Sequence, residues 1–328
     1  DLTPFGKIEV RGKGALPLLQ RVSDSNMDKP VGSATYTQFL NPNGGVEADL
    51  TVTRLAETSF LLVVPAATIR RDMAWLQRHV PAGAQVTVFD NTSGEAVIAL
   101  MGPQSRELLN RVSPDGFTND VHPFGTAREI EIGMGLARAH RISYVGELGW
   151  ELYVSADMAG HVFESIDEAG QDLGLKMCGL HVLDSCRIEK GFRHFGHDIT
   201  DEDHVLEAGL GFAVKTGKGA FLGRDAVLRK REAGLQRRMV QFLLQEPALM
   251  AYHNEPICRD GRIVGTVTSG NYGHYLGGSV AMGYVPCAGE TAEEMLASTY
   301  EIDIAGRRVA ATPSLSPLYD PKSHRVKL

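Results

Sequence analysis

A chain of 328 residues, 43% hydrophobic and 22% charged, has enough apolar side chains for two to three packed cores, which excludes a disordered or fibrous chain. Its net charge of −7, without a basic run, argues against a nucleic-acid partner, and no apolar stretch approaches the ~20 residues of a membrane span. Cys178, Cys186, Cys258 and Cys287 form no C-x-x-C pair and the first residues do not read as a signal peptide, so reduced thiols and a cytoplasmic setting are expected, or the mitochondrial matrix in a eukaryote.

Taken in order, Ile8–Gly12 predicts a short strand, and the spacing of Ala15, Leu18, Leu19 and Val22 predicts a helix. Asn41-Pro42-Asn43-Gly44-Gly45 combines a proline-fixed φ with two residues free to take positive φ, which predicts a hairpin between strands near 33–40 and 46–53. On the second of these strands Val46, Ala48, Leu50 and Val52 alternate with Glu47, Asp49, Thr51 and Thr53, so Asp49 points away from the core. A strand at Phe60–Val64, a helix carrying Met73 and Leu76, and a strand at Val86–Phe89 complete the unit.

The same order then recurs. Ile98–Gly102 leads into a helix through Ser105, Leu108, Leu109 and Val112, and Trp150–Val154 precedes a helix carrying Phe163 and Ile166, each 90 residues after its counterpart. The fold class expected is therefore α+β: two split β-α-β units related by an approximate two-fold axis. At an offset of 90, Asp49 faces Ala139 and Glu151 faces Leu61, so each carboxylate is absent from the other copy. Glu151 and Tyr153 point away from the apolar side of their strand, formed by Trp150, Leu152 and Val154.

Past Gly174 the pattern shifts to a helix over Leu180–Lys190 and a loop, Gly191–Asp198, rich in aromatic and cationic groups. From Met239 onward six short strands with Gly and Asn turns predict a small barrel or sandwich. The expected boundaries are 1–91 and 92–174 for the repeats, 175–236 for a connection completing the α/β core, and 237–328 for the β domain.

A nucleophile elbow, a Walker loop and a G-x-G-x-x-G after a strand are all missing. His194, His197 and His204 lack the Cys, HExxH or carboxylate cluster of a metal centre, so no metal is expected. What remains is Asp49 and Glu151, the aromatics Tyr36, Tyr144, Trp150 and Phe195, and the helix cation Arg187. Aromatic faces stack flat heterocycles, a buried carboxylate accepts paired N–H donors, and a cation meets a carboxylate: a pterin with a glutamate tail fits all three.

Asn41–Val52, Ser143–Glu151, Arg187–Gly191, Leu206–Leu210, Gly265–Gly270 and Ala281–Pro286, in that order over nearly the whole chain, resemble the tetrahydrofolate-dependent aminomethyltransferase (glycine cleavage T-protein) family. The resemblance is strongest to the folate domains of dimethylglycine and sarcosine dehydrogenases. It implies a three-domain cloverleaf around a central folate funnel. It further implies Asp49 as the catalytic acid beside the folate nitrogens, Glu151 holding the pterin edge, and Tyr36, Tyr144, Arg187 and Phe195 lining the cofactor site. The implied reaction is capture of an iminium-level one-carbon unit from an N-methyl amine to give 5,10-methylenetetrahydrofolate. Alternatives are a glycine-cleavage aminomethyltransferase, a folate-dependent demethylase, or a non-catalytic regulatory module of the same fold. Pro65 stands where T-proteins carry an Asn, which weakens the first of these. FAD is expected only in an upstream domain or partner subunit, since nothing in this stretch resembles a flavin site.

Overall fold

The computed structural model describes all residues, Asp1–Leu328. The first unit comprises β1 (Gly6–Arg11), α1 (Ala15–Val22), β2 (Ala34–Leu40), β3 (Val46–Ala56), β4 (Ser59–Val64), α2 (Ile69–His79) and β5 (Thr87–Asp90), with sheet order β2-β3-β4-β1-β5. The second comprises β6 (Glu95–Met101), α3 (Ser105–Val112), β7 (Ala127–Ile132), β8 (Gly135–His140), β9 (Gly149–Ser155) and α4 (Ala159–Gly170), ordered β6-β9-β8-β7. The duplication extends to register: Ile8 pairs with Leu62 and Ile98 with Leu152, both 90 residues apart.

The hairpins depart from that offset. Val52 pairs with Leu62 and Ala139 with Leu152, so strands β3 and β8 correspond at an offset of 87. The counterpart of Asp49 is consequently Leu136, not the Ala139 expected from a gapless repeat. The second turn is tighter, closing between Ile132 and Gly135 where the first runs from Leu40 to Val46, and a longer stretch between β8 and β9 then restores the offset of 90, since Ala139 precedes its partner Leu152 by 13 residues and Val52 its partner Leu62 by 10. The longer turn is built by Asn41, whose Oδ1 accepts from the N–H groups of Asn43 and Gly45 at 2.9 and 3.0 Å. At Gly45 a Cβ would sit 1.9 Å from the Asp201 carbonyl, so only glycine lets this loop dock.

Each sheet buries one face under its own helices. Ile8, Leu19, Leu50, Phe60 and Leu76 form the first core, and Leu100, Leu109, Trp150, Leu152 and Ile166 the second. The other faces meet each other. Leu61, Val97 and Tyr153 pack together there, and Thr53 Oγ1 lies 3.4 Å from His140 Nδ1. Thr53 and His140 are themselves 87 residues apart, so equivalent positions touch across the approximate two-fold axis.

After α5 (Leu180–Glu189) and α6 (Arg224–Ala233) come β10 (Arg237–Leu244), β11 (Pro256–Arg259), β12 (Arg262–Gly273), β13 (Gly278–Pro286), α7 (Ala292–Ala297), β14 (Tyr300–Ile304) and β15 (Arg307–Ser314). The strands close as β10-β13-β12-β11-β14-β15. Of the two architectures the strand spacing allowed, the barrel is the one formed, because β10 pairs with β15 as well as β13 and leaves no edge. A shared cluster containing Leu40, Val46, Ile188, Val205, Val280 and Met282 joins the first hairpin, α5 and the barrel. The architecture is thus the duplicated α/β core with a β domain that the sequence led us to expect.

Candidate functional site

Asp49 lies on the face of β3 that turns away from its core, as the alternation required. Gln38, opposite it on β2, donates from Nε2 to Asp49 Oδ1 at 2.7 Å. A β-bulge between Phe39 and Leu40 creates that pairing. The Tyr36 hydroxyl lies against the same carboxyl. Burial pushes the Asp49 pKa up to about 6, while the hydrogen bonds from Tyr36 and Gln38 and the Arg193 guanidinium act to lower it.

Two stacked aromatic pairs flank this carboxyl. Tyr36 stacks on the exposed Phe212 with ring centroids 6.0 Å apart, and Tyr144 on Phe192 at 6.0 Å with planes 8° from parallel. The Tyr144 hydroxyl donates to the Arg193 carbonyl at 2.8 Å. Burial raises the Tyr144 pKa; the Arg187 guanidinium acts to lower it and the charge of Asp49 to raise it.

Glu151 comes from the second sheet, on the face that meets the first. It sits opposite His140 on β8, so it is linked through His140 to Thr53, four residues along β3 from Asp49. Its carboxyl accepts from the Tyr153 hydroxyl at 2.9 Å, and burial pushes its pKa up to about 7. Tyr153 in turn stacks on His140 at 4.3 Å. A buried carboxyl with one donor has acceptor capacity to spare.

Arg187 is 2% exposed, and its guanidinium makes four hydrogen bonds. Nε donates to Asp184 at 2.7 Å, one terminal nitrogen to Asp198 at 2.7 Å and the Phe192 carbonyl at 3.1 Å, and the other to Ser269 at 2.9 Å while lying 2.7 Å from Asp184 Oδ1 as an ion pair. Through these contacts the cation that the sequence reading placed in the cofactor site fastens α5 to the loop and the barrel. Phe195 is half-buried beneath the Arg71 guanidinium, 5.1 Å from its ring centre, and packs in the cluster shared by hairpin, α5 and barrel. His194 and His197 lie 4.5 Å apart, while His204 is elsewhere, its Nδ1 accepting from the Leu206 N–H.

Gln38 and Arg193 were missed in the sequence. Arg193 lay within the cationic loop but carried no signal of its own. Gln38 could have been found only by knowing that the hairpin is bulged.

Two family models cover this architecture: the GCVT N-terminal domain over residues 1–218 and the glycine cleavage T-protein C-terminal barrel domain over 237–320. The chain belongs to the glycine cleavage T-protein family. An aminomethyltransferase of Halothermothrix orenii is 37% identical over 87% of this chain and 79% of its own length. A 4-methylaminobutanoate oxidase (formaldehyde-forming) of Paenarthrobacter nicotinovorans is 43% identical over the whole of this chain, which spans 39% of that relative. The crystal structure of the glycine cleavage system aminomethyltransferase T of Bartonella henselae superposes with a TM-score of 0.85 at 27% identity, covering 98% of this chain and 86% of that one. Dimethylglycine and sarcosine dehydrogenases are also homologues, and the family's enzymes use tetrahydrofolate. No helix is long and apolar enough to cross a membrane.

Proposed function

We propose that this chain is the folate-dependent one-carbon transferase part of an N-methyl amine oxidising enzyme, of the dimethylglycine and sarcosine dehydrogenase type. The observation that carries the reading is the half-buried Asp49 carboxyl, fixed by Gln38 and Tyr36 beside stacked aromatic pairs and sharing the inter-sheet face with Glu151. Tetrahydrofolate, when bound, supplies the nitrogens that take up a one-carbon unit, and 5,10-methylenetetrahydrofolate is the product. The chain's own residues divide the remaining work. The stacked pairs suit a flat heterocycle, and Glu151 has the acceptor capacity for an N–H edge. With its pKa near 6, Asp49 is largely ionised at neutral pH, so it favours a cationic centre beside it and accepts a proton from a nearby N–H. An N-methyl amino acid as ultimate donor fits the substrate for which the Paenarthrobacter relative is named, and the flavin chemistry belongs to sequence outside this stretch.

A glycine-cleavage aminomethyltransferase is the second reading, favoured by the match over most of the Halothermothrix enzyme. The test is direct. Tetrahydrofolate should raise the melting temperature of both the native protein and Asp49→Ala, while Asp49→Ala should lose methylenetetrahydrofolate formation by about 100-fold or more. Normal turnover by Asp49→Ala would remove the catalytic assignment. A 5-methyl product would instead indicate a demethylase, and activity with a lipoyl-bound aminomethyl donor the second reading.

A further inference from the structure

The free edge of β2 is covered by a buried carboxyl that has no part in the chemistry above. Asp24 is 0% exposed; its N–H donates to the Gln38 carbonyl at 2.9 Å, and its Oδ1 accepts from the Gln38 N–H at 2.9 Å and from Thr37 Oγ1 at 2.8 Å. The residue clamped in this way is the one whose side-chain amide reaches Asp49. Ser23 Oγ, Asp24 Oδ2 and Gln38 Oε1, all in this corner, are buried without partners. Lys218 closes it, its ammonium donating to the carbonyls of Gln20, Ser23 and Ser25 at 2.7, 2.6 and 2.7 Å.

We propose that Asp24 and Gln38 are positioning residues for Asp49: Asp24 anchors the backbone of Gln38, Gln38 aims its amide at Oδ1, and the pair sets how readily Asp49 exchanges its proton. This rests on the reading of Asp49 as the acid–base group. An orphaned carboxylate oxygen kept at the edge of a strand is poor strand-capping but serves well as a charge placed behind another charge.

The sign of each contribution follows from the groups facing the two carboxyls. Around Asp49 these are Gln38 and Tyr36 from β2, Arg193 and Tyr144 from the flanking loops, Asp72 from α2, and Asp24. Around Asp24 they are Thr37, Gln38, Lys218 and Asp49. Burial pushes Asp24 up to about 6, so both carboxyls ionise over the same range. Gln38 favours the ionised form of Asp49, and ionised Asp24 opposes it.

The test is a carboxyl-carbon NMR titration of Asp49 in the ligand-free protein, labelled at aspartate and assigned through Asp49→Asn. Gln38→Met should move the Asp49 midpoint up by roughly one pH unit, and Asp24→Asn should move it down by about half a unit. Thr37→Val keeps the side-chain shape but removes a donor to Asp24. It leaves Asp24 protonated to higher pH and should also lower the Asp49 midpoint, which covers the case in which Asp24→Asn does not fold. Opposite movements in the Gln38 and Asp24 or Thr37 variants support the proposal. Unmoved midpoints, or movements in one direction, overturn it in favour of a purely structural corner. Turnover by Asp49→Ala would instead sink the reading on which the proposal rests, so the two failures are distinct.

Discussion

Holding a carboxyl at position 49 costs stability, and the cost has a pH signature. The Asp49 pKa rises from an ordinary 3.8 to about 6, chiefly through burial. Across that window the folded chain keeps a proton that the unfolded chain releases, so stability falls as pH rises, and the full cost is present above about pH 6. Two units correspond to about 3 kcal/mol. Asp49→Asn should therefore be more stable than the native protein by about 1–3 kcal/mol at pH 8 and not at pH 3.5, measured by urea denaturation at both. Equal stability at pH 8 would show that the carboxyl is better solvated than its surroundings imply. Glu151→Gln should behave alike, its window running from 4.5 to about 7. The orientation of both acids was legible in the sequence, since alternation along a strand decides which face a residue takes. The partner of Asp49 was not. Without the bulge, counting back from the Leu40–Val46 pair sets Gln38 opposite Ala48, on the wrong face, and nothing in the sequence marks the extra residue.

At the scale of elements, α5 shows how much of a residue's surroundings lies outside its own helix. A helix through Arg187 followed from the spacing, and Asp184, three residues back, is a local partner, but two further partners come from Asp198, 11 residues on, and Ser269, 82 residues on. Those are tertiary contacts, invisible to local pattern. Arg187→Met would leave Asp198 buried without its cation, and we expect a loss of about 3–5 kcal/mol in chemical denaturation. The folded fraction should keep most of its folate affinity. If affinity is lost while stability holds, Arg187 touches the ligand after all. The barrel shows the same division. Six strands were legible from their turns, but closure depends on β10 meeting β15, and strand spacing alone fits a sandwich equally well.

The two α/β units and the barrel are joined by packed side chains rather than by linkers alone. Leu61, Val97 and Tyr153 unite the two sheets, and Leu40, Ile188 and Val280 unite hairpin, helix and barrel. Lys190 further reaches across to Asp320 at 3.0 Å. We expect one calorimetric transition, with the van't Hoff and calorimetric enthalpies in agreement, moved as a whole by tetrahydrofolate. Two resolved transitions, of which folate shifts only one, would contradict this coupling. The 90-residue offset made the duplication legible at this scale, and a shorter second hairpin compensated by a longer β8–β9 stretch displaced it between them. Where Thr53 meets His140, equivalent positions of the two copies touch without being the same residue. Two identical copies joined about that axis would carry every side chain twice, and an anion at position 151 would bring a twin at position 61, in the same interior. Leucine stands at 61 instead. In one polypeptide each half is free of the obligation, binding on any symmetric homodimer, that a substitution favourable on one side be tolerated on the other.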